Sequence, residues 1–320
     1  MNAVDVKKIC RKFHDFSALK DVSFYIPEGE IFGLLGPNGA GKTTMIRILC
    51  GIMLPSSGTA EVLGFDVSRH PNEVKKRIGY MSQKFALYND LTVKENLLFY
   101  ASIYDVPRKD RKDRLYELIG LAELEEHENK LTCNLSGAWR QRLALACAIV
   151  HRPAMIFLDE ATAGVDPVSR RKFWDLIYQL AGEGVSVLAT THYMDEADYC
   201  NTIGMMYEGE MIALASPERL KDESPGTLVQ IECAHPSDLV KSLLEMPQVA
   251  NAAVHGSLVH ATIVDALDIP IVQQQLRQNG LEYSIWEAIR PSLEDVFIGV
   301  VSQQQNDVQI SSLSQNREVA

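Results

Sequence analysis

The segment Gly36–Thr44, which reads GPNGAGKTT, constrains the fold of this chain more than any other feature. It follows the apolar run Ile31–Leu35, and the apolar positions after Thr43 repeat with helical spacing. A strand, a glycine-rich turn and a helix in this order allow backbone N–H groups and the helix N-terminus to converge on phosphate oxygens. The segment is therefore predicted to be a phosphate-binding loop in an α/β domain.

The residues of this loop have predicted roles at a nucleotide. Lys42 is expected to reach the β and γ phosphates, and the Thr43 hydroxyl is expected to ligate Mg²⁺. An incidental glycine-rich turn is the alternative, which the strand before the loop and the helix after it disfavour. The residues of the loop that are predicted to bind the nucleotide are Gly36, Pro37, Asn38, Gly39, Ala40, Gly41, Lys42, Thr43 and Thr44.

A second apolar run, Met155–Leu158, ends in the acidic pair Asp159 and Glu160. Open α/β sheets bind ligands beyond the carboxyl ends of their strands, so these carboxylates are expected beside the phosphate loop. We expect Asp159 to hold the Mg²⁺ shell, usually through water, and Glu160 to polarise the water that attacks the nucleotide.

The composition narrows the classes of function. Binding of a nucleic acid requires a basic protein face that neutralises its phosphates. A net charge of -11 disfavours such a face, so no nucleic-acid partner is expected. The six cysteines form no CxxC pair, which disfavours a zinc ribbon or a redox dithiol and fits a reducing cytosol. The N-terminus lacks the apolar core of a signal peptide, and the apolar runs are too short to span a bilayer. Any membrane function is therefore expected to require a partner.

The pattern along the chain predicts two domains and a tail. Residues 1–222 alternate apolar strands with amphipathic segments, as in a wound α/β domain, and about 87–150 is interpreted as a helical insert. Residues 223–301 have the order strand, helix, strand, strand, helix, strand, followed by a last helix. This order predicts a small ferredoxin-like α+β domain. The Gln- and Ser-rich tail, 302–320, is expected to be disordered.

The segment Leu135–Arg142, LSGAWRQR, stands shortly before the acidic strand. Together with the motifs above, it resembles the nucleotide-binding subunits of ATP-binding cassette (ABC) transporters, whose signature reads LSGG followed by a basic-Gln-Arg stretch. The resemblance covers roughly residues 4–222. It implies a P-loop NTPase (RecA-like) core with a helical subdomain, ATP and Mg²⁺ as ligands, and a dimer that sandwiches two ATP molecules.

The resemblance also implies roles for single residues. Phe13 corresponds to the aromatic residue that stacks on adenine, and Gln83 to the glutamine that joins the Mg²⁺ site to the helical insert. His192 corresponds to the histidine that senses the γ-phosphate, and Asp166 lies in the loop that crosses the dimer interface. A core phenylalanine and an ordinary histidine at a strand end are the alternatives for Phe13 and His192.

The predicted site thus comprises three groups of residues. The catalytic residues are Lys42, Gln83, Glu160 and His192. The Mg²⁺ ligands are Thr43, Gln83 and Asp159. The nucleotide-binding residues outside the loop are Phe13, Ser136, Gly137, Gln141 and Asp166.

The signature segment has physical reasons to bind phosphate, and it contains a departure from the family pattern. Ser136 is expected to cap the helix that runs to Val150, and Gly137 allows close approach to the free N–H groups of its first turn. Ala138 stands where the second signature glycine is expected. Its Cβ would crowd the γ-phosphate, or cost about 1–2 kcal/mol if its φ is positive. We hypothesise that this slows hydrolysis without abolishing it. Ala161, where the family often has proline, is a mild change.

One cassette without membrane spans looks like a subunit that docks on a separate permease at the cytoplasmic face of the membrane, beside an identical or different second cassette. Phe85 and Tyr88 are expected either to receive a permease helix or to pack the helical insert. The closing segment Pro291–Phe297 is among those that look like the drug, lipid or polysaccharide exporter branch. The rival hypotheses are a soluble cassette ATPase that acts on ribosomes or DNA, and a regulatory cassette with weak hydrolysis.

Overall fold

The structure is a computed structural model that describes residues 1–83 and 87–304. Its contacts divide the chain into two compact units, Met1–Leu214 and Ala215–Ala320. Among the described residues, no helix combines the length and the apolar character that a bilayer span requires.

The first unit contains an antiparallel sheet, a mainly parallel sheet and several helices. The elements of the antiparallel sheet are β1 (Asn2–Phe13), β2 (Phe16–Pro27), β4 (Ser57–Val62) and β5 (Phe65–Asp66). The strands of the second sheet are β3 (Ile31–Leu35), β6 (Ile78–Met81), β7 (Met155–Asp159), β8 (Ser186–Thr191), β9 (Thr202–Tyr207) and β10 (Glu210–Ala215). The helices are α1 (Lys42–Leu49), α2 (Pro71–Lys75), α3 (Val93–Ile103), α4 (Arg111–Leu121), α5 (Gly137–Ala148), α6 (Pro167–Gly182) and α7 (Met194–Ala197).

The second sheet determines where the functional side chains meet. Its strand order is β10-β9-β3-β8-β7-β6, and the pairs β3–β8, β3–β9, β7–β8 and β6–β7 are parallel. Every residue of β3, β7 and β8 is buried, as expected of parallel strands that are covered on both faces. The predicted strands at these positions are confirmed, and their carboxyl ends lie at one edge of the sheet.

Helix α1 packs its apolar side chains into the core of the first unit. Met45, Ile46, Ile48 and Leu49 are fully buried in a cluster that also contains residues of both sheets, such as Leu19. This burial fixes the helix that follows the phosphate loop, so the N-terminus of α1 has a defined position at the edge of the parallel sheet.

The segment from 87 to 150 is helical, as its sequence predicts. It holds α3, α4 and α5, and Thr92 begins α3 with a capping box, because its hydroxyl accepts from the Glu95 N–H while the Glu95 carboxylate accepts from the Thr92 N–H. The described residues of this segment contain no strand beyond one isolated bridge between Thr92 and Leu131.

The second unit contains the predicted βαββαβ order. Its elements are α8 (Pro217–Asp222), β11 (Thr227–Cys233), α9 (Pro236–Leu244), β12 (Val249–His255), β13 (Leu258–Ile263), α10 (Ile269–Gln278) and β14 (Tyr283–Ala288). The strand order β12-β13-β11-β14, with antiparallel neighbours, is that of a ferredoxin-like sheet. Helices α9 and α10 bury their apolar residues against one sheet face. The predicted fold class is therefore confirmed.

Two boundaries differ from the sequence-based expectation. The second unit begins at Ala215 and includes α8, because Arg290 donates to Glu218 at 2.6 Å and to Asp222 at 2.7 Å. The last helix spans 293–304, so residues 302–304, which were expected to belong to a disordered tail, are helical. The remainder of that tail, 305–320, lies outside the described residues.

Candidate nucleotide-binding site

The loop between β3 and α1 lies so close to neighbouring backbone that two of its residues must be glycine. A Cβ on Gly41, whose φ is +104°, would lie 2.6 Å from the Ala18 carbonyl oxygen. A Cβ on Gly36 would lie 2.2 Å from the Met206 carbonyl oxygen. No acidic residue occupies the first turn of α1, so nothing in that turn offsets the partial positive charge of the helix N-terminus. A helix terminus of this kind favours an anion, and phosphate binding by the loop residues stays a prediction.

Lys42 is buried beneath this loop. Its Nζ donates to the carbonyl oxygens of Gly36 at 2.7 Å and Pro37 at 3.0 Å, and it lies 3.5 Å from Glu160 Oε1. Burial lowers the pKa of this ammonium group, and the nearby carboxylates of Glu160 and Asp159 oppose that shift. The ammonium group is thus held at the loop by carbonyl groups and one carboxylate.

Asp159, at the end of β7, accepts hydrogen bonds from two threonine hydroxyl groups. Thr43 Oγ1 donates to its Oδ1 at 2.9 Å, and Thr190 Oγ1 donates to the same oxygen at 3.0 Å. Burial raises the pKa of the carboxyl group, and these two hydrogen bonds oppose the shift. Thr190 was not among the predicted site residues, although its position at the end of an apolar strand is the same signal that identified Asp159.

The ligands predicted for Mg²⁺ fit that ion chemically. The Thr43 hydroxyl, the Asp159 carboxylate and the side-chain carbonyl of Gln83 are oxygen donors, which this hard cation prefers. Thr43 and Asp159 are already within 2.9 Å of each other, and Gln83 lies close enough to donate to the adjacent Glu160. The donor set contains no thiol or imidazole that would favour a softer metal.

Glu160 lies beside three of the other predicted residues. Its Oε2 accepts from Gln83 Nε2 at 2.9 Å and lies 3.6 Å from His192 Nδ1, while its Oε1 faces Lys42. Its φ is +49°, and its N–H donates to Thr190 Oγ1 at 3.0 Å and to the Thr190 carbonyl at 3.2 Å. A non-glycine residue in this region costs about 1–3 kcal/mol, so the surrounding contacts hold the carboxylate in a strained position. His192 Nδ1 is buried and makes no hydrogen bond within the described part of the chain.

The signature segment lies apart from these contacts. Ser136 is the N-cap residue of α5, but its side chain makes no capping hydrogen bond, so the prediction that its hydroxyl caps the helix is wrong. Ser136 and Gly137 are exposed, and with Gly164 and Asp166 they line a groove of about 390 Å³. A Cβ on Gly137 would meet no atom within 4 Å. Unlike Gly36 and Gly41, this glycine is not required by any contact within the chain.

Ala138 and Gln141 differ from their expected environments. Ala138 lies within α5 and does not have a positive φ, so the strain considered for this position does not arise. Gln141 is buried, and its Nε2 donates to the Ala161 carbonyl oxygen at 2.6 Å instead of facing the groove. The amide thereby joins α5 to the loop that follows Glu160.

Asp166 and Phe13 lie at the periphery of the site. Asp166 is exposed at the N-cap of α6, where it accepts from the Ser169 N–H at 2.9 Å, a hydrogen bond that lowers its pKa. Phe13 ends β1, is 37% exposed and lies with its ring centroid 4.6 Å from the Arg11 guanidinium carbon. The neighbouring Phe16, which the sequence analysis did not single out, is 63% exposed.

A polar network that the sequence analysis missed connects α6 to the segment after His192. The Arg170 guanidinium lies 3.1 Å from Asp195 Oδ2, 3.4 Å from Glu196 Oε1 and 4.0 Å from the centroid of the Tyr193 ring. The Thr162 hydroxyl also donates to Glu196. Residues so far apart in sequence carry no common local pattern, so only the fold could reveal this connection.

The proposed docking region is described in part. Phe85 lies outside the described residues. Tyr88 is 48% exposed and packs edge-on against Phe99 of α3, with ring centroids 4.5 Å apart. Both interpretations of Tyr88, as a packing residue of the insert and as an accessible surface residue, therefore fit its position.

Comparison with known proteins gives consistent matches. A family model described as ABC transporter matches residues 19–163. The chain is 45% identical to the probable multidrug ABC transporter ATP-binding protein YbhF of Escherichia coli K12. The match extends over 224 residues, which are 69% of this chain and 38% of YbhF. It thus spans well under half the length of that relative.

A second relative matches over nearly its whole length, and solved structures share the fold. The linearmycin resistance ATP-binding protein LnrL of Bacillus subtilis 168 is 32% identical over 300 residues, which cover 88% of this chain and 96% of LnrL. The dimeric post-hydrolysis form of the ATP-binding cassette MJ0796, bound to ADP and Pi, has a TM-score of 0.61 and 28% identity, over 67% of this chain and 98% of that one. The cbiO1 protein of Clostridium perfringens has a TM-score of 0.65 and 26% identity, over 77% of this chain and 96% of that one.

Proposed function

The chain belongs to the ABC transporter family as an ATP-binding cassette of the kind that hydrolyses ATP to drive transport, and we propose that it powers export through a separate membrane permease. The observation that carries the proposal is the convergence of Lys42, Gln83, Glu160 and His192 at the carboxyl edge of one parallel sheet. Such a set provides a cation for phosphates and a carboxylate for water beside a loop that accepts anions.

The proposed mechanism uses groups that are already close together. Lys42 would exchange its hydrogen bonds to loop carbonyls for bonds to phosphate oxygens. Thr43, Gln83 and Asp159 would hold Mg²⁺, which would supply positive charge to offset that of the phosphates. Glu160 orients and polarises the attacking water, a role that contributes about 10²–10⁴ in rate. His192 lies beside Glu160 with its Nδ1 free of protein hydrogen bonds among the described residues, so it can report on the γ-phosphate.

We infer that the working unit is a dimer in which Ser136 and Gly137 contact the nucleotide bound to the opposite subunit. Both residues are exposed, and the groove beside them also includes Asp166 at the start of α6. The first N–H groups of α5 supply an anion-binding helix terminus there. MJ0796, to which this chain is similar, is dimeric in its ADP- and Pi-bound form, which supports a dimer as the working unit.

Three parts of this proposal are inferred from the relatives and not from the site: export, the separate permease, and the position of the chain at the cytoplasmic face of the membrane. The names of YbhF and LnrL refer to multidrug transport and linearmycin resistance, which favours an exporter with a permease in a separate chain. Tyr88 and the helical segment around it are the proposed contact for that permease at the cytoplasmic face of the membrane. The rival role on ribosomes or DNA is not favoured by these names.

The experiment that tests this proposal compares Glu160→Gln with Glu126→Gln, a matched change at an exposed glutamate outside the site. In Glu160→Gln we expect Mg²⁺-dependent ATP hydrolysis to fall by about 10²-fold or more while ATP still binds and a dimer accumulates on size-exclusion chromatography with light scattering. Glu126→Gln should hydrolyse ATP like the parent chain. Equal hydrolysis by the parent and Glu160→Gln would show that the assignment of the base is wrong, and a monomer at saturating ATP would contradict the dimer.

A further inference from the structure

The second unit brings two histidines and an aspartate together, far along the chain from the nucleotide site. His255 ends β12, His260 lies in the middle of β13, and Asp295 lies in the first turn of the helix 293–304. Their ligand atoms all lie within 4.8 Å of one another. His260 Nδ1 is 2.8 Å and His255 Nε2 is 3.7 Å from the same oxygen, Asp295 Oδ1.

The register of the sheet explains why the two imidazoles share a face. Ala253 pairs with His260 and His255 pairs with Leu258, so the histidines are diagonal neighbours across β12 and β13. The alternate residues of β13, such as Val259 and Ala261, point into the apolar core beneath α9 and α10. The two histidines therefore occupy the opposite face, where the imidazole rings stack with centroids 4.3 Å apart and Asp295 approaches from the C-terminal helix.

The carboxylate is oriented by a second layer of hydrogen bonds. Asp295 Oδ2 accepts from the Ser292 N–H at 2.9 Å and from the Ser292 hydroxyl at 2.6 Å, which leaves Oδ1 directed at the two imidazoles. Its side chain is only 7% exposed, compared with 14% for His260 and 25% for His255. Hydrogen bonds that fix a ligand in this way are typical of metal sites, where such partners hold first-shell carboxylates and imidazoles.

We propose that His255, His260 and Asp295 form a binding site for a borderline divalent cation of the Zn²⁺ class, with water as a fourth ligand. Two imidazole nitrogens and one carboxylate oxygen match the preference of these ions, which Ca²⁺ and Mg²⁺ do not share. Zn²⁺ lies about 2.0–2.2 Å from such ligands, so tetrahedral ligand atoms are about 3.3 Å apart. The observed separations of 2.8 and 3.7 Å lie on either side of this value. Because the two rings are stacked at 12°, the imidazoles would have to rotate for their in-plane lone pairs to meet at one ion.

The site would join the helix 293–304 to β12 and β13, two strands that the sheet already pairs. The cation would tie β12, β13 and the helix 293–304 together, because each element contributes one ligand. Without the cation, the helix is held at this point by the His260–Asp295 hydrogen bond. Binding to the folded state alone would then raise the thermal stability of the chain. This proposal is independent of ATP hydrolysis.

The test uses the full chain without nucleotide, dialysed against EDTA and then titrated with Zn²⁺ or Co²⁺. We expect one equivalent of Co²⁺ to give the visible absorption of a four-coordinate site, and Zn²⁺ to displace it. The informative variant is His255→Ala, because His255 makes no hydrogen bond to Asp295 and its loss leaves the His260–Asp295 bond intact. It should bind Zn²⁺ at least about 10-fold more weakly than the parent chain. His235→Ala removes an exposed histidine of the same unit and should bind like the parent.

Two further measurements keep the test decisive. At the same Zn²⁺ concentration, the Tm of the parent and of His235→Ala should rise by more than that of His255→Ala. Circular dichroism would show whether the variant is folded. Equal Zn²⁺ affinity of the parent and His255→Ala would overturn the proposal, because the cluster would then be only a structural hydrogen bond. A thiolate-to-cobalt charge-transfer band would also overturn it, since the ion would be bound at cysteine.

Discussion

The phosphate loop and the signature segment, both in the first unit, are built in opposite ways. At the loop, Lys42 is 4% exposed and bonded to the carbonyls of Gly36 and Pro37, and Thr43 is bonded to Asp159. In the signature segment, Ser136 is exposed and its hydroxyl does not cap the helix that it begins. Lys42 and Thr43 of the loop obtain their partners within one chain, whereas Ser136 and Gly137 at the start of the signature segment are exposed.

The contrast extends to the glycines of the two segments. Position 41 requires glycine because a Cβ there would lie 2.6 Å from the Ala18 carbonyl oxygen. A Cβ on Gly137 would meet no atom of the described residues within 4 Å. Contacts among the described residues therefore account for Gly36 and Gly41 of the loop but not for Gly137 of the signature. The open space at this exposed glycine leaves room for the approach of the proposed second cassette.

The largest expected effect is that of Gly41→Ala. The added Cβ meets the Ala18 carbonyl oxygen, and the φ of +104° is unfavourable for alanine. We expect the variant to lose about 2–4 kcal/mol of unfolding free energy and to bind ATP at least about 100-fold more weakly. Urea denaturation and equilibrium binding of a fluorescent ATP analogue measure the two effects.

Gly182→Ala, in α6, is the control for this substitution, because its Cβ has open space and its φ is not positive. It should be neutral or slightly stabilising. If Gly41→Ala bound ATP as tightly as this control, the close contact between residue 41 and the Ala18 carbonyl would not be needed for phosphate binding.

The second-largest effect is expected for Gly137→Ala, which should slow hydrolysis without the losses of stability and ATP affinity expected for Gly41→Ala. Because the Cβ fits within the chain, we expect parent-like thermal stability and parent-like ATP affinity of the monomer. Hydrolysis should fall by about 10-fold, since the methyl group lies where the nucleotide of the partner would approach. ATPase assays above and below the dimerisation concentration measure this. An unchanged rate would contradict the contrast between the two segments.

Ala138→Gly tests the departure from the family signature, with a smaller expected effect. Because Ala138 has no positive φ, the glycine relieves no strain and costs the helix up to about 1 kcal/mol. We propose that the rate of the dimer rises by about 2- to 5-fold if the Cβ crowds the bound phosphate of the partner. ATPase assays at matched dimer fraction measure it, and a rate equal to that of the parent would show that Ala138 does not slow hydrolysis.

The smallest expected effect concerns His151, which follows α5. Burial lowers the pKa of His151 to about 4, and the hydrogen bond between its Nε2 and the Ile78 carbonyl opposes this shift. Its Nδ1 is buried without a partner in the described part of the chain. The folded state therefore binds fewer protons than the unfolded state between about pH 6.5 and 4. Stability should fall as the pH falls through this window, by about 1–2 kcal/mol after allowance for solvent screening of the partly exposed ring.

Urea denaturation at several pH values, with His151→Gln as the comparison, tests this effect. The glutamine keeps a donor for the Ile78 carbonyl but does not titrate, so its stability should depend less on pH in the same window. Identical pH profiles for the parent and the variant would remove His151 as the cause.

Much of the site could be predicted because its residues carry local patterns. The loop Gly36–Thr44, the acids after β7 and His192 after β8 each follow a buried strand, and the carboxyl ends of parallel strands share one edge. The positions of Gln141 and Arg170 could not be predicted in this way. Their partners, Ala161 and Glu196, are separated from them by 20 or more residues, and the pairing depends on how the helices pack.

The sequence by itself determined the phosphate loop, the order of strands and helices and the ferredoxin-like domain, because each rests on short-range periodicity or on the backbone freedom of glycine. Only the tertiary structure decided that Thr190 bonds to Asp159, that Ala138 is helical, and that His255, His260 and Asp295 meet. Those contacts follow from strand register and helix packing, in which residues far apart along the chain become neighbours and no local pattern records it.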